Sequence, residues 1–158
     1  MSTGLVYLRP LEVAFARRVG PHHSSALAAW EHISEWLAAK NYKPLAPTGF
    51  GLVHKTKTLP QIDMPVYDAC IELIDPIMID LVAGIDQCRI PGGAFLRHRH
   101  IGGPDTMAEA FRNLRTAEAK RRGLKNDDSR PMIEIYIKNQ RDCTREQRID
   151  LCVPVLIP

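Results

Sequence analysis

The chain lacks a strong charge of either sign. Its net charge is +3 over 158 residues, and the basic excess sits in the second half, in Arg97-His98-Arg99-His100 and Lys120-Arg121-Arg122. Both stretches have acidic neighbours, so they read as solvated basic faces and not as a DNA footprint. Cysteine is scarce and scattered. Cys70, Cys88, Cys143 and Cys152 include no Cys-x-x-Cys pair, which argues against a zinc site or a disulfide framework and for reduced thiols in a bacterial-type cytosol. No apolar run approaches a membrane span, and the N-terminus lacks the charged-then-apolar layout of a secretion signal. Aromatics are few as well: two Trp, four Tyr and four Phe. The expectation is a cytoplasmic globular chain, a single domain over 1–158 with a real core and no metal or cofactor.

The chain is written twice. Phe15-Ala16-Arg17-Arg18-Val19-Gly20-Pro21 leads into a helix, and so does Phe95-Leu96-Arg97-His98-Arg99-His100-Ile101-Gly102-Gly103-Pro104. Gly20 and Gly102 stand 82 positions apart, as do Asp68-x-Cys70 and Asp150-x-Cys152, while Pro47 and Pro131 stand 84 apart. Landmarks in the same order make duplication the better explanation than chance. Each unit reads strand, Gly-Pro turn, helix, strand, strand, with repeat one over about 5–75 and repeat two over about 84–156. The apolar run Ile77 to Ala83 lies in the joint around Pro76–Asp86.

The first helix is predicted from about Ser24, as its cap, to Lys40, with Ala26, Ala29, Trp30, Ile33, Trp36 and Leu37 on one stripe. The second begins at Thr106 with a Thr-Met-Ala-Glu109 capping box and closes at Gly123 as a left-handed cap. The fold class is α+β: a duplicated strand–helix–strand–strand unit, an antiparallel sheet with helices on one face, and a ligand cleft between the repeats.

Met132-Ile133-Glu134-Ile135-Tyr136-Ile137 is the clearest strand, and its alternation places Glu134 and Tyr136 together on the face opposite the isoleucines. A carboxylate beside an aromatic ring lining a cavity receives a cation with an apolar body. A buried, unpaired acid there would protonate or hold water until a ligand arrives. The step of 84 matches Phe50 to Glu134, so those two should approach from opposite walls. Phe95, Tyr67 and Trp36 are further candidates, with Trp36 equally readable as core. His98 and His100 share one side of a strand, as metal ligands would, but without a third ligand they read as surface histidines.

The pattern resembles the DNA gyrase inhibitory protein (GyrI-like) small-molecule-binding family, also found as the effector-binding half of AraC-type and multidrug-responsive activators. The similarity runs from about Glu12 to Val155. It rests on Val19-Gly20-Pro21, Glu35-Trp36-Leu37-Ala38-Ala39-Lys40-Asn41, Tyr67-Asp68-Ala69-Cys70, Ile90-Pro91-Gly92-Gly93-Ala94-Phe95, Ile133-Glu134-Ile135-Tyr136-Ile137 and Asp150-x-Cys152-Val153-Pro154-Val155. Phe95 stands where the family usually has Tyr.

The resemblance implies a ligand domain without a helix-turn-helix, holding cationic, amphiphilic, drug-like molecules against Glu134. Two alternatives accompany this reading. One is a modulator of DNA gyrase acting by protein contact, or working with a separate regulator. The other is a hydrolase of strained electrophilic toxins, with Glu134 positioning water. No direct nucleic-acid or membrane binding is expected, and no catalytic residue is assigned.

Overall fold

A computed structural model describes residues 3–42, 48–55, 57–73, 79–102, 106–137 and 147–157. The landmarks Pro47, Gly103, Pro104 and Cys143, and the first part of the joint between the repeats, lie outside the described residues. Its elements are β1 (Thr3–Leu8), β2 (Leu11–Val19), α1 (His22–Ala39), β3 (Thr48–His54), β4 (Val66–Glu72), β5 (Asp86–Ile90), β6 (Gly93–Gly102), α2 (Met107–Asn113), β7 (Lys125–Asn126), β8 (Met132–Ile137) and β9 (Gln147–Leu156). A π-helical turn, Leu114–Glu118, and a last α turn, Ala119–Arg121, extend α2. Gly123, at φ +67°, ends that helix as expected. No described helix is long and apolar enough to cross a membrane.

One antiparallel sheet holds all nine strands in the order β1-β6-β9-β8-β3-β4-β2-β5, with β7 beside β9. The duplication is visible in its pairing. Arg17 faces Asp68 across β2 and β4, and Arg99 faces Asp150 across β6 and β9, each residue 82 positions from its counterpart. The third strands keep a different step. Registers of β3 with β4 and of β8 with β9 make Gly51, 83 positions earlier, the equivalent of Glu134. Gly51 and Glu134 are also direct partners where β3 meets β8. The pseudo-two-fold axis of the molecule therefore passes between them.

The outer strands are exchanged. β1 belongs in sequence to the first unit but pairs with β6 of the second, and β5 precedes β6 but pairs with β2 of the first. Only Arg9 and Pro10 join β1 to β2, a link of about 10 Å at most. Along a flat sheet those strands would lie six steps, or about 29 Å, apart. The sheet must therefore roll until its ends meet, and they do: a side chain on Gly92, between β5 and β6, would collide with Leu8 at the end of β1 and with Pro10 just after it.

The rolled inner face encloses an apolar core of Val13, Phe15, Leu52, Cys70, Ile90, Phe95, Ile133 and Cys152. Both helices lie on the outer face, the arrangement expected from the sequence. α1 buries Ala29, Ile33 and Trp36 against β2 and β4, while α2 buries Met107 and Phe111 against β6 and β9. The seam strands β3 and β8 form the floor between the two helices.

Several local expectations need correction. Ser24 does not cap α1. The cap position is Pro21, and the Ser24 hydroxyl donates back to the Pro21 carbonyl. Thr106 precedes α2 without a side-chain capping bond, its hydroxyl being engaged with His100 Nε2 at 2.9 Å. His100 is consequently buried, not a surface residue. His98 bonds Thr3 Oγ1 at 2.7 Å, and no group of His, Cys, Asp and Glu suited to a metal exists among the described residues. In the joint, Leu81 and Val82 are exposed while Ile85 is core. Burial pushes the free thiols of Cys70, Cys88 and Cys152 upward, the latter two to about 12, so they stay protonated.

Candidate functional site

The seam carries a fully buried carboxylate. β8 presents Glu134 and Tyr136 to the helix side, and the facing positions of β3 are Gly51 and Gly49. Two glycines there flatten the floor. A Cβ at Gly49 would sit 2.7 Å from the Trp30 ring, so that indole reaches from α1 across β3. The result is a cage. Tyr67 Oη and Tyr136 Oη donate to Glu134 Oε1 at 2.8 and 2.7 Å. Trp30 Nε1 donates in turn to Tyr67 Oη at 2.8 Å, and its ring meets Tyr136 edge-on at 5.3 Å. The other oxygen, Oε2, holds His22 Nε2 at 2.7 Å.

Both phenols remain donors. Burial first, and then the negative charge of Glu134, push the Tyr67 and Tyr136 hydroxyls well above the ordinary phenol range. The expectation of an unpaired acid is thus corrected: three side chains already satisfy it. What the cage lacks is a permanent cation, for His22 is the only ion-pair partner of Glu134 among the described residues.

A second buried acid makes the contrast plain. Asp68, on the inner face, takes two bonds from Arg17 at 2.7 and 2.9 Å and one from His54 at 2.7 Å. A full guanidinium charge offsets Asp68, as in a structural ion pair, whereas no such charge offsets Glu134.

Of the residues singled out from the sequence, Glu134, Tyr136 and Tyr67 meet in the cage. Phe50 does not approach Glu134. It pairs with Ile135 and points to the inner face, because the true repeat step at this strand is 83 and puts Gly51 opposite the acid. Phe95 is also an inner-face residue, its ring 4.7 Å under the Arg130 guanidinium. Trp36 is core under α1, its indole donating to Asp80 at 3.0 Å. Pattern reading overlooked His22, Trp30, Gly49 and Gly51. The only available signal was Gly49-Phe50-Gly51, glycine at alternate positions of a strand, which marks close approach to one face.

No curated protein is similar to the chain in sequence. Among solved structures, the EcmrR C-terminal domain superposes with a TM-score of 0.75 at 20% identity, covering 99% of this chain and 98% of that one. SAV2435 bound to tetraphenylphosphonium gives a TM-score of 0.65 at 12% identity, over 99% of this chain and 94% of that one. A hydrolase encoded by lin2189 from Listeria innocua gives 0.59 at 11% identity, over 98% and 91%. At these identities the likeness is one of fold. Residues 1–156 match the model of one family over almost their whole length, and the chain belongs to it: the GyrI-like small molecule binding domains.

Proposed function

We propose that the cage at the seam of the two repeats receives a small cationic, amphiphilic aromatic molecule, with Glu134 as its counter-charge. The observation that carries this reading is a fully buried carboxylate without a guanidinium or ammonium partner among the described residues. Burying an acid is unfavourable unless its charge is matched, and a ligand cation completes the match. Trp30, Tyr67 and Tyr136 supply ring faces and edges around it, each face adding about 0.5–2 kcal/mol to a cation held against it. Charge and flatness select the ligand here more than a hydrogen-bond pattern does, so several related compounds should be accepted. Membership of a small-molecule-binding family supports the reading, as does a fold neighbour solved with a lipophilic cation.

A titration tests it. A cationic rhodamine dye should bind the wild type, and Glu134→Gln should weaken that binding about 30-fold or more, because one partner of a desolvated charge pair is removed. A neutral dye of the same shape should be indifferent to the substitution. Equal binding of the cationic dye to both proteins would overturn the receptor role of Glu134.

A further inference from the structure

The two oxygens of Glu134 are not equivalent. Oε1 is held by two phenol donors at 2.7 and 2.8 Å, both rooted in the sheet. Among the described residues Oε2 has one partner, the imidazole of His22, which is 25% exposed beside an acid exposed 0%. His22 therefore stands between the free side of the carboxylate and solvent. It lies edge-on to Tyr67, with ring centroids 5.5 Å apart and planes at 70°. A flat ring with one N–H on a carboxylate oxygen, set against aromatic edges, is already a picture of a bound ligand.

We propose that His22 is a built-in surrogate ligand: the site is shaped for planar cations bearing an N–H, of the amidinium or protonated aza-aromatic class, which bind by displacing the imidazole from Oε2. This rests on the receptor reading above and adds its chemical class. An N–H donor reproduces the 2.7 Å bond that the imidazole makes, whereas a quaternary cation meets Oε2 without a hydrogen bond.

Displacement is mechanically simple. His22 is the first residue of α1, where backbone N–H groups have no intrahelical partner, and the first turn is closed by Ser25 N–H on the Pro21 carbonyl at 2.9 Å. The side chain can swing out while the helix stays intact.

The experiment titrates benzamidinium and tetraphenylphosphonium into wild type, His22→Ala, His22→Gln and Glu134→Gln, with thermal unfolding to establish that each variant is folded. Benzamidinium should bind His22→Ala about tenfold more tightly than wild type, the worth of one charge-assisted hydrogen bond. His22→Gln, which keeps an N–H but no charge, should fall between them. Benzamidinium binding unchanged or weakened in a folded His22→Ala would overturn the surrogate role, as would phosphonium binding as tight as benzamidinium in every variant. If neither cation binds wild type or His22→Ala, the receptor reading itself fails.

Discussion

Gly51→Ala should destabilise the protein by about 3 kcal/mol and remove cationic-dye binding, more than a single methyl group does at most surface positions. The added Cβ would lie 2.1 Å from Tyr67 Oη and 2.7 Å from Glu134 Oε1. Neither can retreat at no cost. Tyr67 is 1% exposed and takes a bond from Trp30, so moving it breaks that bond and its own bond to the fully buried Glu134. Pushing Glu134 aside breaks the Tyr136 and His22 contacts in the same way. Urea unfolding monitored by tryptophan fluorescence gives the stability change, and dye titration gives the binding. Gly4→Ala is the control, because a Cβ there meets nothing within 4 Å, and it should stay within about 0.5 kcal/mol of wild type. A Gly51→Ala protein with unaltered midpoint and unaltered dye affinity would show that the seam is less close than described.

The second large effect belongs to the other buried acid. Asp68→Ala leaves Arg17 and His54 without their partner on the inner face, and breaking such a pair by removing one member costs about 3–5 kcal/mol. Asp150→Ala, its counterpart in the second repeat, should cost less. The structure shows one bond from Arg99 there, at 3.1 Å, and no histidine at the position equivalent to His54, which is Ile137. The pH dependence follows the same chemistry. Burial by itself would raise the Asp68 carboxyl, but hydrogen bonds from Arg17 and His54, then their charges, outweigh it and hold the group below the ordinary carboxylate range. A folded value below the unfolded one means that this contribution is complete above about pH 4 and is lost as pH falls through the lowered value. Acid unfolding of wild type should therefore show a slope that Asp68→Asn lacks. Parallel acid curves for the two proteins would remove Asp68 as its source.

Much of the architecture was legible because duplication leaves marks at fixed spacing. Gly20 and Gly102, and the Asp-x-Cys pairs, gave the unit and its order, and the helical stripe gave the face of α1 that is buried. Strand parity put Glu134 and Tyr136 on one face, where they are found. What failed was any inference that needed the register between the repeats. An error of one residue at the third strand sends a side chain through the sheet, and that is why Phe50 was matched to Glu134 when Gly51 is its equivalent. The cage residues on α1 were hidden for a related reason. His22 and Trp30 are 112 and 104 positions away in sequence, and nothing local marks a histidine at a helix start as the cover of a distant carboxylate.

The reciprocal placement of β1 and β5 bears on how the molecule holds together. Each half lends the other its leading strand, so the chain has the topology of two subunits that traded arms before being fused into one polypeptide. A nick anywhere between Leu73 and Ile79 would sever the backbone yet leave both borrowed strands hydrogen-bonded in their hosts. Such fragments should co-purify and come apart only on denaturation, and neither should yield a folded protein when expressed without its companion.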